Sequence, residues 1–163
     1  MSDEKMREFL VNAIKARALF YYAFYKEFSA EIGPEKTAEI MKRAIYKRGV
    51  GIGQQFKEFA PCDMAGLKTA FLDVMPDPKG TFNPDVERCD ETGIDIQLQT
   101  CPLKDAWQEA GLSDEEVAIM THIAGHVDNG TFEGAGFSFY ADTWQAGRRG
   151  CCHLHIRPGE KGK

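Results

Sequence analysis

Ile94-Asp-Ile-Gln-Leu-Gln99 alternates aliphatic and polar side chains one for one. Successive side chains of a strand point to opposite faces, so Ile94, Ile96 and Leu98 turn toward a core and Asp95, Gln97 and Gln99 toward water or a site. Working outward, Val86 to Cys89 lies across the turn Asp90-Glu-Thr-Gly93 and makes a weaker partner strand, which predicts a hairpin. A second alternation comes near the C-terminus, where Phe137, Phe139 and Ala141 interleave with Ser138, Tyr140 and Asp142. After a turn through Gln145-Ala-Gly-Arg-Arg-Gly150, Cys152, Leu154 and Ile156 interleave with Cys151, His153 and His155. Two hairpins set among helical segments imply an α+β fold, an antiparallel sheet packed against long N-terminal helices and a central helix.

The helical segments follow from a different period. Residues 3 to 32 carry Phe9, Ala13, Ala16, Phe20 and Phe24 at helical spacing, with Ser2 as a cap and Gly33-Pro34 as the stop. The aromatic run Phe20-Tyr-Tyr-Ala-Phe-Tyr25 is expected deep in the core or in a subunit contact. A second helix starts at Pro34 and carries Ala38, Met41, Ile45, Gly49, Ile52, Phe56 and Phe59 on one side. Gly49, Gly51 and Gly53 each weaken a helix by roughly 1 kcal/mol relative to alanine. Close packing against another helix explains them better than a phosphate loop, because no strand precedes them. Shorter helices are predicted from Asp63 to about Val74 and from Leu103 to Ala110. Ser113-Asp-Glu-Glu116 is a capping box that opens the central helix, which is expected to end near Asp128 at Asn129-Gly130.

The chain has 163 residues, 43% of them hydrophobic and 28% charged, with a formal net charge of -5. That suits one domain over residues 1–163, with an ordered core from about 3 to 157 and a disordered tail from Pro158. The negative charge argues against nucleic acid as a partner. No stretch has the length and apolarity of a membrane span, and the N-terminus lacks a basic segment followed by an apolar run, so a cytoplasmic protein is expected. Five cysteines without a Cys-x-x-Cys pair suggest reduced thiols.

Chemistry gathers in four places. His122 and His126 stand four apart in Thr121-His-Ile-Ala-Gly-His-Val-Asp128 and can share a helix face, with Asp128 in the final turn beside them. A carboxylate at a helix C-terminus opposes the dipole, so Asp128 either caps the following turn or serves as a general base with His126. Cys101 leaves a strand just ahead of a helix, where amide groups can favour its thiolate; it is either a nucleophile or a buried filler. Cys151, His153 and His155 share a strand face; either they supply, with His122 and His126, the donors of a metal site, or they are an ordinary half-exposed polar face. Arg148 and Arg149 either clamp a carboxylate or solubilise their turn.

Several ordered segments together are similar to one family. They are the aromatic first helix ending in Glu31-Ile-Gly-Pro-Glu-Lys36, Ala44-Ile-Tyr-Lys-Arg-Gly49, Cys101-Pro-Leu-Lys-Asp-Ala-Trp107, the helix through Asp128 and the C-terminal cysteine strand. Over nearly its whole length the chain resembles the L-2-amino-thiazoline-4-carboxylic acid hydrolase family. The resemblance implies hydrolytic opening of a cyclic amidine ring, giving N-carbamoyl-L-cysteine, and a small-molecule substrate that bears a carboxylate. It raises Cys101, Asp128 and Cys152 as site residues, with His126 assisting in proton transfer. Arg148, Arg149 and Trp107 become candidates for holding the substrate. No cofactor is needed on that route. A competing route uses a divalent transition metal such as zinc, held among His122, His126, Cys151 and His153. Two other classes remain open: a domain that binds a small ligand or metal without turnover, and a homo-oligomer joined through the aromatic first helix.

Overall fold

The computed structural model describes residues 2–160. In chain order it comprises α1 (Asp3–Ile32), α2 (Pro34–Gly53), a 3-10 segment (Gln54–Phe59), α3 (Met64–Asp73), α4 (Pro78–Thr81), β1 (Pro84–Asp90), β2 (Gly93–Leu98), α5 (Pro102–Glu109), α6 (Asp114–Ala135), β3 (Ser138–Asp142) and β4 (His153–Arg157). The strands form one antiparallel sheet in the order β1-β2-β4-β3, which is the α+β arrangement that the two alternating segments imply. The inward residues Ile94, Ile96, Leu154 and Ile156 are fully buried. Phe132 of α6 joins the layers, its ring packed between Phe71 of α3 at 5.0 Å and Phe139 of β3 at 5.1 Å. No helix among the described residues is long and apolar enough to cross a membrane.

The caps behave as their residue types dictate. Ser2 accepts from the Lys5 N–H, Asp63 from the Gly66 N–H, and Ser113 and Glu116 close a reciprocal capping box. Pro34 occupies the first turn of α2, where a missing N–H costs nothing.

α6 departs from expectation. It does not stop at Asn129-Gly130 but continues to Ala135 and ends on Gly136 in the left-handed conformation. Gly130 is there for a close approach: a Cβ on it would lie 2.0 Å from the Tyr46 carbonyl oxygen of α2. In return, a Cβ on Gly49 or Gly53 would lie 2.1 Å from Val127 O or 2.2 Å from Thr131 O of α6. The glycines of α2 are therefore a helix-packing surface, and the Thr131 hydroxyl adds a bond to the Gly49 carbonyl at 3.4 Å. Gly51 faces away from α6, where a Cβ would meet only the Arg48 guanidinium at an ordinary 3.8 Å.

α1 also turns a different face inward. Ile14 and Ala18 are its buried residues and Tyr21, Tyr22 and Tyr25 pack against the core. Phe9, Phe20 and Phe24 are more than half exposed, so of the two places expected for the aromatic run, Phe20 and Phe24 do not occupy the core of this chain. Phe20, Phe24 and Phe28 stack on one another along the outside of the helix. The reason is that α1 carries apolar residues on more than one side, so periodicity alone does not choose among its faces. The tail differs too, since the Gly159 N–H donates to Pro61 O at 2.8 Å; residues 161–163 lie outside the described residues.

Gly130→Ala is expected to lower the unfolding free energy by about 3 kcal/mol, because backbone must move to admit the methyl group. Gly51→Ala should raise it by about 0.5–1 kcal/mol. Urea denaturation of the two variants checks both signs, and equal effects would refute the packing role.

Candidate active site

A cavity of about 260 Å³ lies between the inner face of the sheet and the helices. Its lining is mostly apolar, with Phe56, Phe71, Leu98 and Leu154 on its walls. Into this setting the fold brings Cys101, Trp107, Asp128, Cys151 and Cys152. Because α6 continues past Gly130, Asp128 sits in mid-helix, so the expected opposition to a C-terminal dipole does not arise. What acts on Asp128 is its surroundings. The residue is half-buried, its carboxyl has no hydrogen-bond donor among the described residues, and burial pushes its pKa up to about 7. A carboxyl poised there exchanges a proton near neutrality.

Cys101 occupies the N-cap of α5 in an extended conformation and is buried. The Cys151 thiol beside it holds its pKa below the usual thiol range; burial opposes this, and the nearby N–H groups of Lys104 and Leu103 add to it. Cys151 is correspondingly pushed far up by Cys101, Cys152 and burial, so of the two thiols Cys101 is the one shifted toward its anion. The Cys151 and Cys152 sulfurs are 3.6 Å apart. Both thiols are buried because β4 begins only at His153, so the strand alternation that would send Cys151 outward does not reach it.

The histidines of α6 are placed elsewhere. His122 is exposed, and burial of its ring, followed by the neighbouring His126 and Lys42, lowers its pKa. His126 Nδ1 lies 2.9 Å from the His122 carbonyl oxygen, so that nitrogen carries a proton and is committed to its own helix. The two rings pack edge-on at 4.9 Å. Neither lines the cavity, since a residue two positions before Asp128 on an uninterrupted helix points away from it. The metal set of His122, His126, Cys151 and His153 is not assembled: Cys151 and His153 both line an outer cleft, but the two α6 histidines do not reach it. Arg148 and Arg149 line that same cleft, and Arg149 pairs with Asp85 and Glu87.

One cation of the cavity carries no sequence signal. Arg17 of α1 reaches the lining, brought there where the Trp107 indole N–H donates to Ala18 O at 2.8 Å and fastens α5 to α1. Only the docking of the two helices reveals it.

The L-2-amino-thiazoline-4-carboxylic acid hydrolase family model matches residues 11–156. The chain belongs to that family. Among curated proteins, none matches it. In this member of the L-2-amino-thiazoline-4-carboxylic acid hydrolase family, Arg17, Cys101, Asp128 and Cys152 all fall inside the matched span and line one cavity.

A carboxyl raised from 3.8 to about 7 on folding favours the native state while it is protonated. That contribution is complete below about pH 4 and is lost as pH rises toward 7. Asp128→Asn removes the cost of the buried charge, so at pH 8 it should be the more stable protein, by on the order of 2 kcal/mol once partial exposure is discounted. Near pH 4 the two should nearly coincide. Denaturant midpoints at the two pH values check the sign.

Proposed function

We propose that this cavity opens the ring of a small cyclic amidine carboxylate of the 2-aminothiazoline type, giving an N-carbamoyl amino acid. The observation that carries the reading is an ionisable pair in an apolar space: a Cys101 thiol shifted toward its anion and an Asp128 carboxyl at about 7. Two groups whose surroundings move them toward opposite protonation states are suited to nucleophile and proton-donor roles.

The reacting form is the amidinium ring. The Cys101 thiolate adds to the carbon flanked by nitrogen and sulfur, the ring carbon–sulfur bond breaks, and the departing sulfur takes the Asp128 proton. Water then adds to the same carbon as Asp128 takes its proton. The tetrahedral adduct collapses with Cys101 leaving as thiolate and the hydroxyl proton passing to solvent, which leaves the carbamoyl group. Cys151 donates toward the Cys101 anion throughout. Arg17 at the cavity wall holds the substrate carboxylate, a role for which Arg148 and Arg149 stand on the wrong side of the sheet, and Trp107 bounds the ring. His126 takes no part, because its Nδ1 proton is engaged with its own helix.

Ring opening of 2-aminothiazoline-4-carboxylate, followed by release of a free thiol, tests the reading. Cys101→Ser should lose nearly all activity and Asp128→Asn should lose about 10²–10⁴-fold in kcat. Full activity in Cys101→Ser removes the covalent route. Arg17→Ala should raise KM about tenfold or more with a smaller change in kcat, the pattern of a lost charged contact to bound substrate.

A further inference from the structure

The outer face of the sheet carries a second constellation that the reaction above does not use. On β4, His153 and His155 are two residues apart and so share a face, with ring centroids 4.2 Å apart. Strand register completes the group: His153 pairs with Asp142 of β3 and Gln97 of β2, and His155 pairs with Tyr140 and Asp95. One donor atom from each of Asp142, His153 and His155 lies within 4.8 Å of the others.

The hydrogen bonds around His155 orient its ring. Its Nδ1 is 2.7 Å from Asp95 Oδ1. Asp95 also accepts from Arg88 Nε at 2.6 Å and pairs with the Arg157 guanidinium at 2.8 Å, so both of its oxygens face donors. Nδ1 therefore carries a proton, and Nε2 is the nitrogen turned toward Asp142, 3.5 Å from its Oδ2. The Tyr140 ring stacked at 4.4 Å fixes the imidazole plane. His155 is only 9% exposed, and its Nε2 is buried without a hydrogen-bond partner among the described residues. His153 Nε2 is in the same condition, 3.2 Å from Glu87 Oε2 but out of line for a hydrogen bond. Each nitrogen thus stands beside a carboxylate without a hydrogen bond to it. A carboxylate that orients a histidine through one nitrogen while the other stays free is the usual outer support of a metal-bound histidine.

We propose that Asp142, His153 and His155 form a site for a divalent first-row transition metal, with zinc the representative ion. Two imidazoles and one carboxylate suit a borderline cation and leave positions open. Bond lengths of about 2.0–2.2 Å place tetrahedral donors roughly 3.3 Å apart, so small rotations of the exposed Asp142 and half-buried His153 close the group around an ion. The open side faces a cleft of about 250 Å³ that Arg148 and Arg149 also line, where an anion or water completes the coordination. This site lies across the sheet from the Asp128 cavity and stands whether or not that cavity is an active site.

Cobalt(II) titration of the full chain, followed by visible absorption and competed by zinc, should give one ion per chain in a tetrahedral or five-coordinate nitrogen and oxygen environment. His153→Gln and Asp142→Asn should each weaken it at least tenfold, while the double variant His122→Ala/His126→Ala binds as the parent does. Both ligand variants sit at least partly in solvent, and circular dichroism confirms that they fold. Absence of saturable binding at one ion per chain overturns the site. So do undiminished affinity in Asp142→Asn, loss of binding in the His122/His126 double variant, or a spectrum dominated by thiolate-to-cobalt charge transfer.

Discussion

The backbone contact between α2 and α6 is the constraint on which the rest of the structure depends. Gly49, Gly53 and Gly130 each stand where a Cβ would meet a carbonyl oxygen of the other helix at 2.0 to 2.2 Å. Three glycines inside helices are unfavourable for each helix taken singly. Together they let two backbones approach without intervening side chains, and the contact offsets the cost. The same contact carries α6 past Asn129-Gly130, whose local signals favour a stop, and so sets the rotation at which Asp128 meets the interior.

That rotation creates the chemistry. A carboxylate on a solvated helix face would be an ordinary aspartate; Asp128 lines a cavity with Phe71, Leu98 and Leu154, finds no donor among the described residues, and burial raises its pKa to about 7. The start of α5 and the residues before β4 bring three thiols to the same cavity, where the pairing of Cys101 with Cys151 shifts Cys101 toward its anion. The sheet thus separates two unlike environments: an apolar cavity on one side, and on the other a charged lattice in which Asp95 is held by Arg88, Arg157 and His155.

Much of the architecture was legible because its signals are local. The alternation at Ile94 to Leu98 and Phe139 to Asp142, the capping box at Ser113 and the proline at the start of α2 each act within a few residues, and each element formed where its residues directed. The errors fell where the deciding partner is distant in sequence. Phe20 and Phe24 share the helical spacing of a core stripe yet lie outside, because the surface that α1 meets belongs to α2 and α5. Asn129-Gly130 resembles a stop because the Tyr46 carbonyl that requires the glycine lies in another helix.

For the candidate site the division has the same physical basis. The sequence by itself determined the inventory: Cys101 at a strand-to-helix junction, Asp128 on the central helix, adjacent thiols at Cys151 and Cys152, and two histidines on one strand face. Only the tertiary structure decided which of these meet. It set Cys101, Asp128 and Cys152 around one cavity, added Arg17 through the docking of α1 on α5, and left His126 and Arg149 outside. It also paired His153 with Asp142 across the sheet. Residue type and spacing fix what a side chain can do, whereas desolvation and pairing depend on atoms that the chain brings near only after it has packed.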